Sequence, residues 1–193
     1  MLYRIGRVIL RAVFAVLYRY EARGVENIPP HGPVILASNH KSVLDPIALG
    51  IAVPRELHFM AKTELFAIPL FGSLIRKLGA FPVKRGGVSK EAIRTAIQLL
   101  EEGRVMAIFP QGTRNEDIGV GKRGAVTMAL RADAKIVPVA IIGNYRPFRK
   151  MIAVYGAPLD FKAYAEAGED METMTERLMS RIREMAATGR PSA

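Results

Sequence analysis

The sequence predicts an α/β fold, a mixed central sheet flanked by helices, and two observations carry that prediction. Short apolar-rich runs at residues 33–37, 105–109 and 135–143 have the length and composition of strands buried on both faces. Stretches with helical apolar spacing lie between and after them, so strands alternate with helices from Pro33 to Gly156. With 193 residues, half of them apolar, the chain is sized for one compact domain.

Residues 1–20 read as a helix. At the helical turn of about 100° per residue, Arg4, Arg7, Arg11 and Arg19 fall within about a third of the circle, and Leu2, Ile5, Ile9, Phe14, Val16 and Leu17 lie largely elsewhere. Such a basic amphipathic helix fits a membrane interface, and it fits equally a surface helix covering the core. Its unbroken apolar run, 12–18, is far shorter than the roughly 20 residues needed to span a bilayer. The charged segment 18–23 and the lack of a small-residue cleavage site speak against a signal peptide.

Residues 24–32, with Asn27, Pro29, Pro30 and His31, form a turn-rich connection into the strand 33–37. A turn carrying His40 and Asp45 comes next, then a short helix over 46–53 and a strand over 56–61 on which His58 has a structural place. The helical segment 62–78 is broken or kinked by Pro69. Its apolar residues, among them Phe66, Ile68, Leu70, Phe71, Leu74, Ile75 and Leu78, exceed one core stripe, which leaves some for lipid or an acyl chain. A short strand then ends in Lys84, Arg85, Gly86 and Gly87.

Residues 88–102 are the clearest helix: Ser89 caps it, Ala92, Ile93, Ala96, Ile97, Leu99 and Leu100 supply apolar positions, and Gly103 ends it. The strand 105–109 runs into Pro110, Gln111, Gly112, Thr113 and Arg114, and Lys122 and Arg123 open the next helix as electrostatic support. In the strand 135–143, Pro138 lacks an N–H and suits a bulge or a sheet edge. A basic turn with Arg146, Arg149 and Lys150 precedes a last strand, 151–156. The terminal helix, 171–187, sets Met174, Leu178, Met179, Ile182 and Met185 on a core-facing stripe.

Composition narrows the function. Without cysteine there is no disulfide, thiolate metal site or thiol catalysis, and three histidines with no His-Glu-x-x-His pattern give no expectation of a metal. A net charge of +10 calls for an anionic partner. Nucleic acid is disfavoured, because no binding fingerprint is present and the cations do not alternate with aromatics. Anionic lipid and a phosphorylated or acidic carrier remain.

The chemistry concentrates between Asn39 and Asp45. A neutral imidazole takes a proton near pH 7, and a carboxylate five residues on can orient it, so His40 and Asp45 form a candidate general base. A lone His and Asp also make ordinary loop hydrogen bonds. Ser42 lacks the glycine-flanked elbow of serine hydrolases. Lys84 and Arg85 beside two glycines, and Gly112, Thr113 and Arg114 after a buried strand, have the chemistry to hold an anion.

Taken in order, Asn-His-x4-Asp at 39–45, Phe81 followed by Arg85, Phe-Pro-Gln-Gly-Thr-Arg at 109–114 and Val-Pro-Val at 137–139 resemble the four signatures of the glycerophospholipid acyltransferase family. The third departs at Gln111, where the family carries glutamate, keeping shape and losing charge. The resemblance implies transfer of a fatty acyl group from acyl-CoA or acyl-carrier protein to the 2-hydroxyl of lysophosphatidic acid, giving phosphatidic acid in phospholipid biosynthesis. It assigns His40 as base and Asp45 as its orienter. Arg85 and Arg114 would hold the acceptor phosphate with Lys84, Gly112 and Thr113 beside them, and Val-Pro-Val would shape an acyl pocket. It calls for no metal or bound cofactor.

The resemblance also implies a peripheral or monotopic place on the cytoplasmic face of the cell membrane, on anionic lipid. Residues 1–23 are then a membrane-interface helix and 24–193 a single acyltransferase domain. The alternatives are transfer to another lyso-phospholipid or polar acceptor, which Gln111 makes credible, a non-catalytic lipid-binding protein, and a soluble esterase.

Overall fold

The apolar runs become strands of one sheet with helices on both faces. The computed structural model describes residues 2–83, 90–111 and 123–192. In chain order its elements are α1 (Leu2–Leu17), β1 (Glu21–Arg23), a 3-10 turn (Val25–Asn27), β2 (Val34–Ser38), α2 (Asp45–Gly50), β3 (Leu57–Lys62), α3 (Thr63–Phe66) and α4 (Phe71–Lys77). They continue with β4 (Ala80–Val83), α5 (Lys90–Glu101), β5 (Val105–Ile108), α6 (Gly124–Ala132), β6 (Lys135–Ile142), β7 (Ile152–Tyr155), α7 (Phe161–Glu166) and α8 (Met171–Thr188).

Among the described residues the sheet has seven strands in the order β1-β7-β6-β2-β5-β3-β4. Every pairing is parallel except β6 with β7, so the sheet is mixed, as the alternation of strands and helices predicts. Val34 pairs with Val105 on one side and Lys135 on the other, which puts β2 at the centre.

Side chains alternate along each strand and feed two cores. Ile35, Ala37, Met106 and Ile136 meet Ala96 and Leu100 of α5, Val126 and Ala129 of α6, and Leu178 and Ile182 of α8. Val34, Leu36, Val105, Ala107, Val137 and Val139 face the other way, onto Ala48 and Leu49 of α2 and Phe14 of α1. Burial on both sides is why these strands are apolar without interruption.

Local chemistry sets the helix ends. Asp170 accepts from the Thr173 N–H at 2.7 Å to start α8, and Gly189 stops it in the left-handed region. Pro69 does break the expected long helix into α3 and α4, with Leu70 at the break held at φ 62°. At Gly79 (φ 90°) a β-carbon would stand 2.3 Å from the Leu57 carbonyl oxygen, so the turn from α4 into β4 needs glycine. The Arg55 guanidinium bonds the Pro29, Gly32 and Gly103 carbonyls, tying together the turns that feed β2 and β5.

Two features differ from the sequence reading. Pro138 lies on β6, an interior strand, not at the sheet edge. Its carbonyl accepts from the Gly156 N–H at 2.9 Å, so its missing N–H points to the same side, facing the end of β7 just past Tyr155. The segments forming β1 and α7 carried no strand or helix signal. β1 is three residues, Glu-Ala-Arg, held to β7 by backbone pairing, and α7 is six residues capped by the Asp160 side chain.

Helix α1 is docked on the domain by a narrow face. The Tyr3 hydroxyl accepts from the Leu57 N–H at 2.9 Å, Arg7 donates to the Val53 carbonyl at 2.5 Å, and Phe14 is buried. The opposite face, Ile5, Val8, Ile9, Val13 and Val16, is exposed. Arg4 and Arg11 are exposed as well, whereas Arg7, expected with them on the basic face, turns inward. Among the described residues no helix is long and apolar enough to cross a membrane.

Candidate active site

Parallel strands deliver their C-terminal ends to one edge of the sheet, where α/β folds place ligands. His40 lies two residues past β2, Gln111 three past β5, and Tyr145 three past β6. Asp45 opens α2, with Pro46 in its first turn.

The Nδ1 atom of His40 lies 2.7 Å from Oδ2 of Asp45. The same oxygen accepts from the Lys41 N–H at 2.6 Å and the Ser42 N–H at 2.8 Å, while Oδ1 accepts from the Tyr145 hydroxyl at 2.5 Å. Burying a carboxylate is costly unless donors replace its water, and four donors do so here. The Asp45 side chain is wholly buried; that of His40 keeps 15% of its surface exposed. A buried carboxylate behind a partly open imidazole is the arrangement of an oriented general base.

Neighbouring contacts fix the rest of the turn. The Phe109 ring stacks on the His40 ring with centroids 4.1 Å apart and planes 23° from parallel. Gln111, nearly buried, accepts the His40 backbone N–H on Oε1 at 3.1 Å. The Asn39 side chain pairs with the backbone of Ile141, accepting its N–H at 2.7 Å and donating to its carbonyl at 3.0 Å, so β6 holds the residue before the histidine. Helix α2 is only six residues long, and two tyrosines pin it: Tyr20 donates to the Ala48 carbonyl at 2.6 Å and Tyr155 to that of Leu49 at 3.0 Å.

A small apolar groove lies between α1, α2 and β3, lined in part by Leu10, Ile47, Ile51, Leu57, Phe59 and Leu78. Beyond it Ile68, Leu70, Phe71 and Leu74 are exposed on and before α4, and Ile75 is buried.

Of the residues singled out from sequence, the structure brings His40 and Asp45 together. Lys84, Arg85, Gly112, Thr113, Arg114 and Lys122 lie outside the described residues. Arg123 stands at the start of α6 and pairs with Glu172 at 3.2 Å. His58 is on β3 with a buried Nε2 that has no hydrogen-bond partner among the described residues, and burial lowers its pKa. Among the described residues no group of three His, Asp or Glu side chains is placed to hold a metal ion.

Sequence reasoning missed Tyr145 and the stacking of Phe109. Phe109 was visible as a member of the third signature. For Tyr145 the one available signal was a lone tyrosine in a basic turn after a buried strand.

Residues 19–142 match the family model described as Acyltransferase. The chain is 41% identical over 170 residues to the 1-acyl-sn-glycerol-3-phosphate acyltransferase of Bacillus subtilis (strain 168), covering 83% of this chain and 84% of that one. It is 30% identical over 159 residues to the protein of the same name from Streptococcus pneumoniae, covering 78% and 60%. Its fold matches the crystal structure of the 1-acyl-sn-glycerophosphate (LPA) acyltransferase from Thermotoga maritima with a TM-score of 0.76 and 26% identity, over 96% of this chain and 80% of that one.

Proposed function

The chain belongs to the acyltransferase family and is an enzyme of that class, and from that premise we propose that it acylates the 2-hydroxyl of lysophosphatidic acid from a fatty acyl thioester, forming phosphatidic acid. The observation that carries this reading is the His40 Nδ1 to Asp45 Oδ2 contact at the C-terminal edge of β2. Names of the relatives support the acceptor.

With Nδ1 committed to Asp45, proton transfer runs through Nε2 of His40. As the acceptor hydroxyl oxygen attacks the thioester carbonyl, Nε2 takes its proton and Asp45 stabilises the imidazolium. Collapse of the tetrahedral intermediate breaks the C–S bond, the thiolate leaves, and the proton on Nε2 returns to it. Thiolate leaves readily, so a positioned base suffices without a covalent enzyme intermediate. The reaction so written uses no cofactor. Arg85 and Arg114, with Lys84, Gly112 and Thr113, are the proposed holders of the acceptor phosphate.

The enzyme is proposed to act on the cytoplasmic face of the cell membrane, with the exposed face of α1 at the lipid interface; the expected boundary at residue 24 moves, because residues 21–23 are strand β1 of the catalytic domain's sheet. The exposed stripe on α1 supports this, as do the exposed Ile68, Leu70, Phe71 and Leu74 and the net charge of +10. The deciding experiment is acyl transfer by purified protein in vesicles containing anionic lipid, with acyl-CoA or acyl-carrier protein as donor. Phosphatidic acid formed from lysophosphatidic acid, with little product from glycerol 3-phosphate or other lyso-phospholipids, is expected. Transfer to another acceptor would overturn the substrate. Acceptor-independent thioester hydrolysis would make the protein an esterase, and folded, vesicle-bound protein without turnover would make it a lipid-binding protein.

A further inference from the structure

The Asp45 carboxylate is held unevenly. Oδ2 takes three donors, all from its own turn: His40 Nδ1 and the Lys41 and Ser42 N–H groups. Among the described residues Oδ1 has one, the Tyr145 hydroxyl, from 100 positions along the chain. A carboxylate anchored at one oxygen can still rotate about its Cβ–Cγ bond. A rotation that swings Oδ2 off its three donors breaks its contact with His40 Nδ1 and loosens the hold that orients the imidazole.

Tyr145 is itself fixed from the far side. Its ring meets Tyr18 edge-on at 5.6 Å and Phe14 at 6.4 Å, both at the C-terminal end of α1. Backbone bonds staple the surrounding loop to the same end: Phe148 N–H to the Leu17 carbonyl at 2.6 Å and Met151 N–H to the Tyr18 carbonyl at 3.0 Å. Phe148 adopts φ 62°, a conformation that costs a non-glycine residue energy and persists only where the surroundings impose it. Burial, and then the Asp45 charge, push the Tyr145 hydroxyl far above its ordinary pKa, so it remains a donor wherever the enzyme is folded.

Resting on the acyltransfer reading above, we propose that Tyr145 is a positioning residue of the reaction, its hydroxyl fixing the Asp45 carboxylate and tying the His40–Asp45 pair to the end of α1. Tyr145 does not touch substrate. It acts through Asp45, and through its ring it makes the seam between α1 and the domain continuous with the catalytic turn.

The test is Tyr145→Phe, which removes one oxygen and keeps the ring against Phe14 and Tyr18. The expected result is a fall in kcat of about 10- to 100-fold, the size of a lost hydrogen bond to a charged group, with the acceptor KM within about twofold. Phe14→Leu loosens the same aromatic cluster and spares the hydroxyl. It should lower Tm more than Tyr145→Phe and kcat less.

A second readout needs no acceptor. The His40 Nδ1 proton, identified in histidine-labelled protein by its absence in His40→Gln, should shift or broaden in Tyr145→Phe and stay in place in Phe14→Leu. Unchanged kcat with an unchanged resonance overturns the proposal. So does a loss of activity that tracks Tm alike in both variants, which would make the tyrosine a packing residue. If wild-type protein transfers no acyl group to any lyso-acceptor, the functional reading fails and the resonance alone decides the role of Tyr145.

Discussion

Gln111 receives the backbone N–H of His40 on its side-chain oxygen at 3.1 Å, so the turn after β5 carries part of the turn after β2. Where the third signature has glutamate, this chain keeps the accepting oxygen and drops the charge.

That contact predicts an asymmetry between two substitutions. Gln111→Glu preserves the acceptor and should retain acyl transfer within about threefold, because a carboxylate accepts the same N–H. Gln111→Leu leaves the His40 N–H without this acceptor, at a cost of about 1–3 kcal/mol. Tm should fall by several degrees, at roughly 2–4 °C per kcal/mol for a domain of this size, and kcat should fall with it. Equal effects of the two variants in melting and vesicle assays would show that the bond to His40 is not what Gln111 supplies.

His40→Ala should abolish acceptor-dependent transfer, a loss of about 10²–10⁴-fold for a general base, with circular dichroism unchanged, since the imidazole lies in the turn past β2 and keeps exposed surface. Asp45→Asn offers Oδ2 as an amide and no longer selects the Nδ1–H tautomer. It should also slow turnover by at least tenfold, and it should lower Tm as well, because the site is wholly buried and built for four donors. Undiminished turnover in His40→Ala removes the general base from the mechanism.

The edge strand β1 carries a pH-dependent tie to the Tyr145 loop. Glu21 contacts Arg23 at 2.5 Å and Lys150 at 2.7 Å, and these two cations hold its carboxyl down at about 2. A carboxyl with a depressed folded pKa binds fewer protons folded than unfolded, so it stabilises the fold above its ordinary value of 4.5 and the benefit fades as pH falls towards 2. Glu21→Gln should therefore melt lower than wild type at pH 7, with the gap closing between pH 4.5 and 2. A gap that is constant across that range, or that widens on acidification, contradicts this assignment.

The strands and helices that build the core were legible because burial on both faces demands uninterrupted apolar residues in β2, β5 and β6, and one-sided burial demands the spacing Met174, Leu178, Ile182, Met185 in α8. β1 was not, since its pairing is made by backbone atoms and its side chains are two charges and an alanine. Of the bulge or edge that Pro138 suited, the interior place of β6 leaves no edge, because a missing N–H tells which ladder contact is absent and not which strands flank it. His40 and Asp45 were legible as a pair five residues apart. Tyr145 was not, because the bond that gives it meaning joins positions 100 residues apart, and neither residue announces the other.

Helix α1 provides the last test. Its inward contacts use Tyr3, Arg7 and Phe14, so changes on the opposite face leave them intact. Val8 and Val16 are 66% and 71% exposed, which means an acidic side chain at either place costs the folded protein little in water. At a bilayer the same change removes buried apolar area and sets a negative charge against anionic headgroups. The double variant Val8→Glu, Val16→Glu should keep the wild-type Tm and sediment with anionic vesicles at least tenfold less. Arg4→Gln with Arg11→Gln should weaken binding more modestly, at about 1 kcal/mol or fivefold per charge, and the loss should shrink as salt rises. A glutamate pair that binds vesicles as well as wild type would turn the exposed stripe from a membrane contact into ordinary surface. Normal vesicle binding without the arginines, but not without the valines, would make the contact hydrophobic alone.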